Sequence, residues 1–206
     1  MNLLQKLTRN RSLHVVVGIL LSAVWAYFAL IHVRAYSATG EFAYLIFCVS
    51  ETLQAVFFIF RTMPKAVSTD PFSWLVAGGG TFVVFFLQPT GVAIWQHGNI
   101  LIMIAVAVQI VALLSLNRSF AIVAAEREIK TSGLYRFVRH PMYMSYILLF
   151  SGYLLFNTSL FNALLIALNW AFMFLRITEE EKLLSESARY REYKTHVKWR
   201  LIPFVY

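Results

Sequence analysis

Charge is scarce in this chain. Asp, Glu, Lys and Arg make up 14% of its 206 residues, against 59% hydrophobic ones, and the mean hydropathy is +0.66. A soluble domain carries roughly 25% charged and roughly 45–50% apolar residues. The composition therefore excludes an ordinary water-soluble fold and points to an integral membrane protein. Cysteine is nearly missing too. Cys48 is the single one, which excludes an intrachain disulfide and any cysteine-based metal centre. The five histidines, at positions 14, 32, 97, 140 and 196, never recur four apart, so no metal is expected. Long Gly/Ser-rich or Pro-rich linkers and internal repeats are also missing, and the chain reads as a single membrane domain over residues 1–206.

What charge there is leans positive, with a net +8 and a pI near 9.8. The basic side chains flank apolar runs. That pattern argues for membrane orientation and for anionic lipid headgroups as partners, not for nucleic acid.

A helix needs about 20 apolar residues to cross the hydrocarbon core. Runs of that kind cover residues 13–33, 42–60 (bounded by Glu41 and Arg61), 72–88 (between Pro71 and Pro89) and 98–116. A polar stretch, 117–139, follows. After Pro141 an apolar block continues to residue 175, long enough for two spans, and Asn157-Thr158-Ser159 breaks it into a tight hairpin of 141–156 and 160–177. The remainder, 178–206, is charged and aromatic, with helical character to residue 196. The expected fold class is all-α: a polytopic helical membrane bundle of about six transmembrane helices, with a C-terminal hairpin and a cytoplasmic C-terminal helix.

Charge placement orients this layout. With the N-terminus inside, every Lys and Arg except Arg34 falls on one face, and the loops after the third and fifth spans carry none. The positive-inside rule then places both termini and the 117–139 segment in the cytoplasm. The first apolar run follows Lys6, Arg9 and Arg11, as in a signal peptide. It is too long for a secretory h-region, and an uncleaved anchor is expected.

Three constellations could carry chemistry. The first is SGLYRFVRHPMYMSY, residues 132–146, at the cytoplasmic entrance of the fifth span. Gly133 permits a turn. A residue before proline is pushed out of helical geometry, so His140 should be the last extended residue, and Pro141 suits the first helical turn. Arg136, Arg139 and the helix start either set topology or form a site for a carboxylate or phosphate. The second is FLRITEEEKLL, residues 174–184. Arg176 and Glu180 are four apart and can pair on one helix face. The three acids either begin a solvated helix, with Thr178 as cap and Glu181 three residues on, or receive a cationic group. The third is the tail YREYKTHVKWRLIPFV, 190–205. Tyr190 and Tyr193 share a helix side, and Trp199, Phe204 and Tyr206 suit an interfacial aromatic belt or stacking on a purine. Within the spans, Glu51 and nearby Gln54 either line a substrate or cofactor cavity or find a structural partner. Gly78-Gly79-Gly80 sits in an apolar span, where close helix packing is its expected use.

Taken in order, G-x-Y-x-x-x-R-H-P-x-Y (133–143), an apolar hairpin, R-x-T-E-E-E-x-x-L (176–184), Y-x-x-Y (190–193) and a V…P-F end (197–204) resemble the isoprenylcysteine carboxyl methyltransferase and phospholipid methyltransferase superfamily of integral membrane enzymes. The likeness covers residues 117–206. It departs from the family in reading SESARY where a Phe-Gly is usual. The resemblance implies that 117–206 is the cofactor-binding catalytic part beneath four N-terminal spans, 1–116. It also implies S-adenosylmethionine as cofactor and a lipophilic methyl acceptor: a prenylcysteine-like carboxylate, a phospholipid amine or another small hydrophobic molecule. On that footing Tyr135, Arg139, His140, Pro141, Tyr143, Glu180, Tyr190 and Tyr193 are the expected cofactor-binding residues. Arg176 and Glu181 are the pair expected to orient the acceptor, with Glu51 and Gln54 as substrate contacts. Two rivals stand beside this reading. One is an NADPH-dependent membrane reductase, since sterol and steroid reductases are similar at H-P-x-Y and at the VKWRLIPFVY ending. The other is a non-enzymatic lipid-binding protein.

Overall fold

The computed structural model describes residues 10–40, 42–64, 66–119, 125–126 and 128–206. Lys6, Arg9, Glu41, Lys65 and Arg127, used above to bound or orient spans, lie outside the described residues. Helix α1 (Arg11–Thr39) starts where the Asn10 side chain accepts from the Ser12 and Leu13 N–H groups and ends at Gly40, in the left-handed region with φ 72°. Helix α2 (Ala43–Phe60) follows. Helix α3 (Pro71–Phe82) is capped by Asp70, with Pro71 in its first turn. It tightens into a 3₁₀ segment, Val83–Phe86. Helix α4 (Gly98–Leu116) leads through 3₁₀ turns Asn117–Ser119 and Gly133–Arg136 to α5 (Pro141–Phe156), α6 (Leu160–Leu184) and α7 (Ala188–His196). Two short strands, β1 (Ala66–Val67) and β2 (Ala125–Glu126), pair antiparallel with Ala66 opposite Glu126.

The fold is the expected all-α membrane bundle. Helices α1, α2, α4 and α6 are long and apolar enough to cross a bilayer, while Pro71–Phe86 and Pro141–Phe156 are shorter apolar helices. At 1.5 Å per residue the 16 residues of α5 reach about 24 Å, short of a core about 30 Å thick. Large apolar side chains such as Leu20, Leu30, Leu160 and Leu164 stay exposed, as lipid-facing positions should. The third span stops at Phe86, not 88, because the helix tightens ahead of Pro89. The sixth runs to Leu184, not 177, because its glutamates meet protein partners instead of ending in water.

Packing follows the pairs α1 on α2, α4 on α5, α3 on α6 and α2 on α4. Phe57 and Phe58 of α2, Ala112 and Leu113 of α4 and Met142 of α5 form one buried cluster that ties three helices together. The outer end of the α5–α6 hairpin is pinned by Asn162, whose amide donates to the carbonyls of Gln88 and Asn157, both at 2.8 Å. Asn157-Thr158-Ser159 is the turn, as its composition suggests. In the glycine run, a Cβ on Gly79 would meet the Phe172 ring of α6 at 2.7 Å, whereas one on Gly78 would meet nothing.

A close backbone crossing joins α4 and α5. A Cβ on Gly98 would sit 2.7 Å from the Gly152 carbonyl oxygen, and one on Gly152 would sit 2.8 Å from that of Gly98. Backbone cannot swing aside as a side chain can, and such overpacking costs about 1–3 kcal/mol. Gly152→Ala is therefore expected to lower the thermal midpoint of the detergent-solubilised protein by several degrees. Gly78→Ala should leave it unchanged or raise it slightly. Equal losses in both variants would contradict this account of the crossing.

Candidate active site

The site begins with a loop that glycine and proline shape between them. Gly133 has φ 60°, and a Cβ there would run into the Ser115 hydroxyl, so the turn needs glycine for two separate reasons. The 3₁₀ turn Gly133–Arg136 and the three residues after it carry the chain to His140, which is non-helical at φ −130°, ψ 60°, and Pro141 opens α5. This is the geometry that a pre-proline residue requires. Tyr135, Arg139, His140, Pro141 and Tyr143 are all buried as a result.

Facing this lip is the C-terminal end of α6. The helix runs unbroken through the three acids. Thr178 donates to the Phe174 carbonyl from mid-helix and caps nothing, so the solvated helix start is ruled out. Successive residues of a helix are rotated by about 100°, and the three glutamates accordingly reach three different neighbours. Glu179 accepts from Ser73 of α3 at 3.0 Å. Glu180 accepts from the Tyr143 hydroxyl of α5 at 2.8 Å. Glu181 turns toward the lip and the tail.

Glu181 is 4% exposed and is the most heavily bonded side chain of the site. Arg139 Nε donates to its Oε1 at 2.6 Å, and His140 Nε2 lies 3.2 Å from the same oxygen. Arg200 Nε donates to Oε2 at 3.0 Å, and the Tyr190 hydroxyl reaches Oε1 at 3.5 Å. The lip and the tail are also stitched through backbone. Arg139 Nη1 donates to the Val197 and Lys198 carbonyls at 2.8 and 2.7 Å. The Arg139 and His140 N–H groups donate to the Trp199 and Arg200 carbonyls at 2.9 and 2.8 Å. The Tyr193 hydroxyl donates to the Tyr135 carbonyl. Burial, and then the Glu181 carboxylate, push the Tyr190 phenol well up, and burial does the same for Tyr193. Both stay neutral hydrogen-bond donors. Burial draws the Arg200 guanidinium down, but Glu181 and Tyr206 more than offset it, leaving the group firmly cationic.

Above this knot lies a cavity of about 360 Å³, within the roughly 300–1,000 Å³ typical of small-molecule sites. One end is polar, formed by Tyr135, Arg139, His140, Tyr143, Arg176 and Glu180. The other is apolar and aromatic, with Trp25, Phe28, Phe47, Phe85 and Phe150 among its walls, and Glu51, Gln54 and Gln109 also face it. Arg176 lies over the Tyr143 ring, 5.3 Å from its centroid.

Several expected residues fall elsewhere than the sequence reading put them. Arg136 and Arg139 do not share an anion site. Arg139 is spent on Glu181, while Arg136 points outward over the Phe137 ring at 4.6 Å. Arg176 forms no ion pair with Glu180 or Glu181 among the described residues. The expected Arg176–Glu181 acceptor pair is absent because Glu181 turns away from the cavity into its ring of cations, leaving Arg176 and Glu180 as the cavity-facing pair. Pro141, Tyr190 and Tyr193 do not line the main cavity, and they support the residues that do. Trp199 and Phe204 pack on each other at 5.5 Å, whereas Tyr206 folds back onto Phe174 and Arg200. Arg200, Gln109 and Tyr146 are site residues that the sequence alone did not single out.

The paired lips and the hairpin between them occupy one continuous stretch. Residues 98–186 match the isoprenylcysteine carboxyl methyltransferase (ICMT) family. No curated protein matches the chain. The ICMT segment contains α4, α5, α6 and both lips; the match supports a membrane methyltransferase in general class, and the long apolar helices support a multi-pass membrane protein. Helices α1–α3 and the tail that carries Tyr190, Tyr193 and Arg200 lie outside the matched residues.

Glu180 and Glu181 should therefore respond differently to the same change. Glu181→Gln leaves the buried Arg139 guanidinium without its counter-charge, at a cost of about 3–5 kcal/mol, and frees the partly exposed Arg200. It is expected to lower the thermal midpoint sharply and to open residues 187–206 to limited proteolysis. Glu180→Gln keeps the Tyr143 hydrogen bond and should leave stability within about 1 kcal/mol. Matching stabilities for the two variants would refute the assignment of Glu181 as the knot.

Proposed function

We propose that the chain is an S-adenosylmethionine-dependent methyltransferase acting on a lipophilic acceptor at the cytoplasmic membrane face. The observation that carries this is one continuous cavity, with Arg176 and Glu180 at its polar end and an aromatic chamber at its other end. The cofactor has a carboxylate, an ammonium, a sulfonium and a purine, and the donor set fits it. Arg176 would hold the carboxylate, Glu180 the ammonium, and His140 and Tyr135 would meet the ribose or purine. The Tyr143 ring already takes the Arg176 cation on its face and suits a sulfonium nearby. When bound, the cofactor supplies an electrophilic methyl group. The protein's own contribution is to align the acceptor in line with that methyl and to keep water out.

The apolar walls support a lipid-like or prenyl-like acceptor that enters from the bilayer while the cofactor comes from the cytosol. Both termini and the 117–139 segment lie in the cytoplasm in this reading, since the positive-inside bias puts the basic lip there. In detergent, titration calorimetry should show saturable binding of S-adenosylmethionine and none of NADPH. Arg176→Met should weaken that binding at least tenfold without a change in thermal midpoint. Labelled methyl from the cofactor should also appear in a product formed from a membrane lipid extract. Binding of NADPH in place of S-adenosylmethionine would overturn the proposal in favour of reduction.

A further inference from the structure

Three polar side chains in the cavity have no task in the account so far. Glu51 sits midway along α2, Gln54 lies one turn after it, and Gln109 faces them from α4; all three line the cavity. Gln54 is 3% exposed and Gln109 is 6% exposed. Among the described residues none of the three side chains forms a hydrogen bond within the protein. Their surroundings are mostly aromatic: Trp25, Phe28, Phe47, Phe85 and Phe150 line the chamber, with His32 stacked on Phe47 and Thr81 and Tyr146 also at its walls. Buried polar groups are normally hydrogen-bonded, and intramembrane acids usually face a cavity or a partner. An acid and two amides gathered without partners on one wall of a ligand-sized space are matched to a ligand.

We infer that Glu51, Gln54 and Gln109 recognise the polar end of the methyl acceptor, and that this end is a hydrogen-bond donor, an amine or a hydroxyl, and not a carboxylate. The inference rests on the function proposed above, in which Arg176 is taken by the cofactor's carboxylate. What remains for the acceptor is then a wall with one carboxylate and no cation of its own. An ionised glutamate only accepts hydrogen bonds, and a second carboxylate beside it would be repelled. Amine or hydroxyl protons meet an acceptor in Glu51, and the two glutamines can complete their bonding.

The chemistry agrees with the geometry. As an amine or hydroxyl takes the methyl, the carbon–sulfur bond breaks with its electron pair kept on sulfur, a new methyl–nitrogen or methyl–oxygen bond forms, and one proton must leave the acceptor. Glu51 is the base on the spot to take it. A carboxylate acceptor releases no proton and would leave Glu51 without a role.

Three probes of one chain length test this: 1-decylamine, 1-decanol and decanoate, each titrated into the purified full chain in the same detergent and followed by thermal shift and calorimetry. The amine, the alcohol or both should bind saturably, at least tenfold tighter than decanoate. Glu51→Gln and the double variant Gln54→Leu/Gln109→Leu should each weaken that binding about tenfold while S-adenosylmethionine affinity stays within twofold. Micellar partition is common to all variants and cancels in the comparison. Decanoate binding as tightly as the amine and alcohol would overturn the inference, and so would unchanged affinity in Glu51→Gln. If the polar probes bind as expected but S-adenosylmethionine does not, the methyltransferase proposal fails and the recognition patch survives. If S-adenosylmethionine binds and decanoate is preferred, only the acceptor class is wrong.

Discussion

One buried carboxylate organises the end of this bundle where the loop before α5, the end of α6 and the tail meet. Glu181 receives Arg139 and His140 from the loop before α5, Arg200 from the tail, and the Tyr190 hydroxyl from α7. A charge out of water is tolerated only when paired and hydrogen-bonded. None of these segments can therefore take its native place without the others. Apolar contacts help to hold the loop and the tail: Leu201 packs with Tyr143, Met173 and Ile177, and Val197 with Tyr190 and Tyr193. Their positions follow from the ring of cations that Glu181 collects, reinforced by the backbone bonds from Arg139 and His140 to Trp199 and Arg200.

Helix register then distributes the remaining chemistry. Arg176 and Glu180 are four residues apart on α6, so they share a face, and that face lines the cavity. Glu181, about 100° further round, faces the lip instead. Glu179, on the opposite side of Glu180, reaches Ser73 of α3. One E-E-E triplet thus anchors a neighbouring helix, equips the cavity and locks the tail. A single-residue shift of α6 about its axis would exchange all three roles. This is why the sharp ends of the hairpin are held so firmly: Asn162 pins the outer turn and Glu181 the inner one.

Much of this was legible from residue types and spacing. The apolar runs gave the helix bundle, Asn157-Thr158-Ser159 gave the hairpin turn, and His140-Pro141 gave the start of α5. The convergence of R-H-P with E-E-E could also be read, because both motifs sit at the same end of two adjacent spans. Which acid faces the cavity could not. Glu180 and Glu181 differ by one step of helix rotation, and the choice depends on Arg139 and Arg200 arriving from segments distant in sequence. Arg200 itself sat in a tail whose aromatic residues suggested a membrane interface, which hid the one guanidinium that closes the knot. Gln109 lay in the most hydropathic span, where a lone amide carries little signal until Gln54 and Glu51 are seen across from it.

The site therefore has two parts with different origins in the chain. The ICMT segment, 98–186, holds the polar end, where Arg176 and Glu180 stand four residues apart on one helix face and, in the proposed reading, meet the charged cofactor. The aromatic chamber draws Trp25, Phe28, Phe47, Glu51, Gln54 and Phe85 from α1, α2 and the 3₁₀ end of the third span, all outside that segment. Methyl transfer places strict demands on the first part, since the reacting atoms must be collinear. It places looser ones on the second, which has only to shape an apolar body and meet one polar end. In the proposed reading, selectivity among acceptors is shared between α1–α3 and Gln109 and Phe150 of the hairpin side, and the Phe57–Leu113–Met142 cluster ties these helices together. In the proposed reading the bilayer-facing helices shape the acceptor end and the hairpin holds the cofactor end.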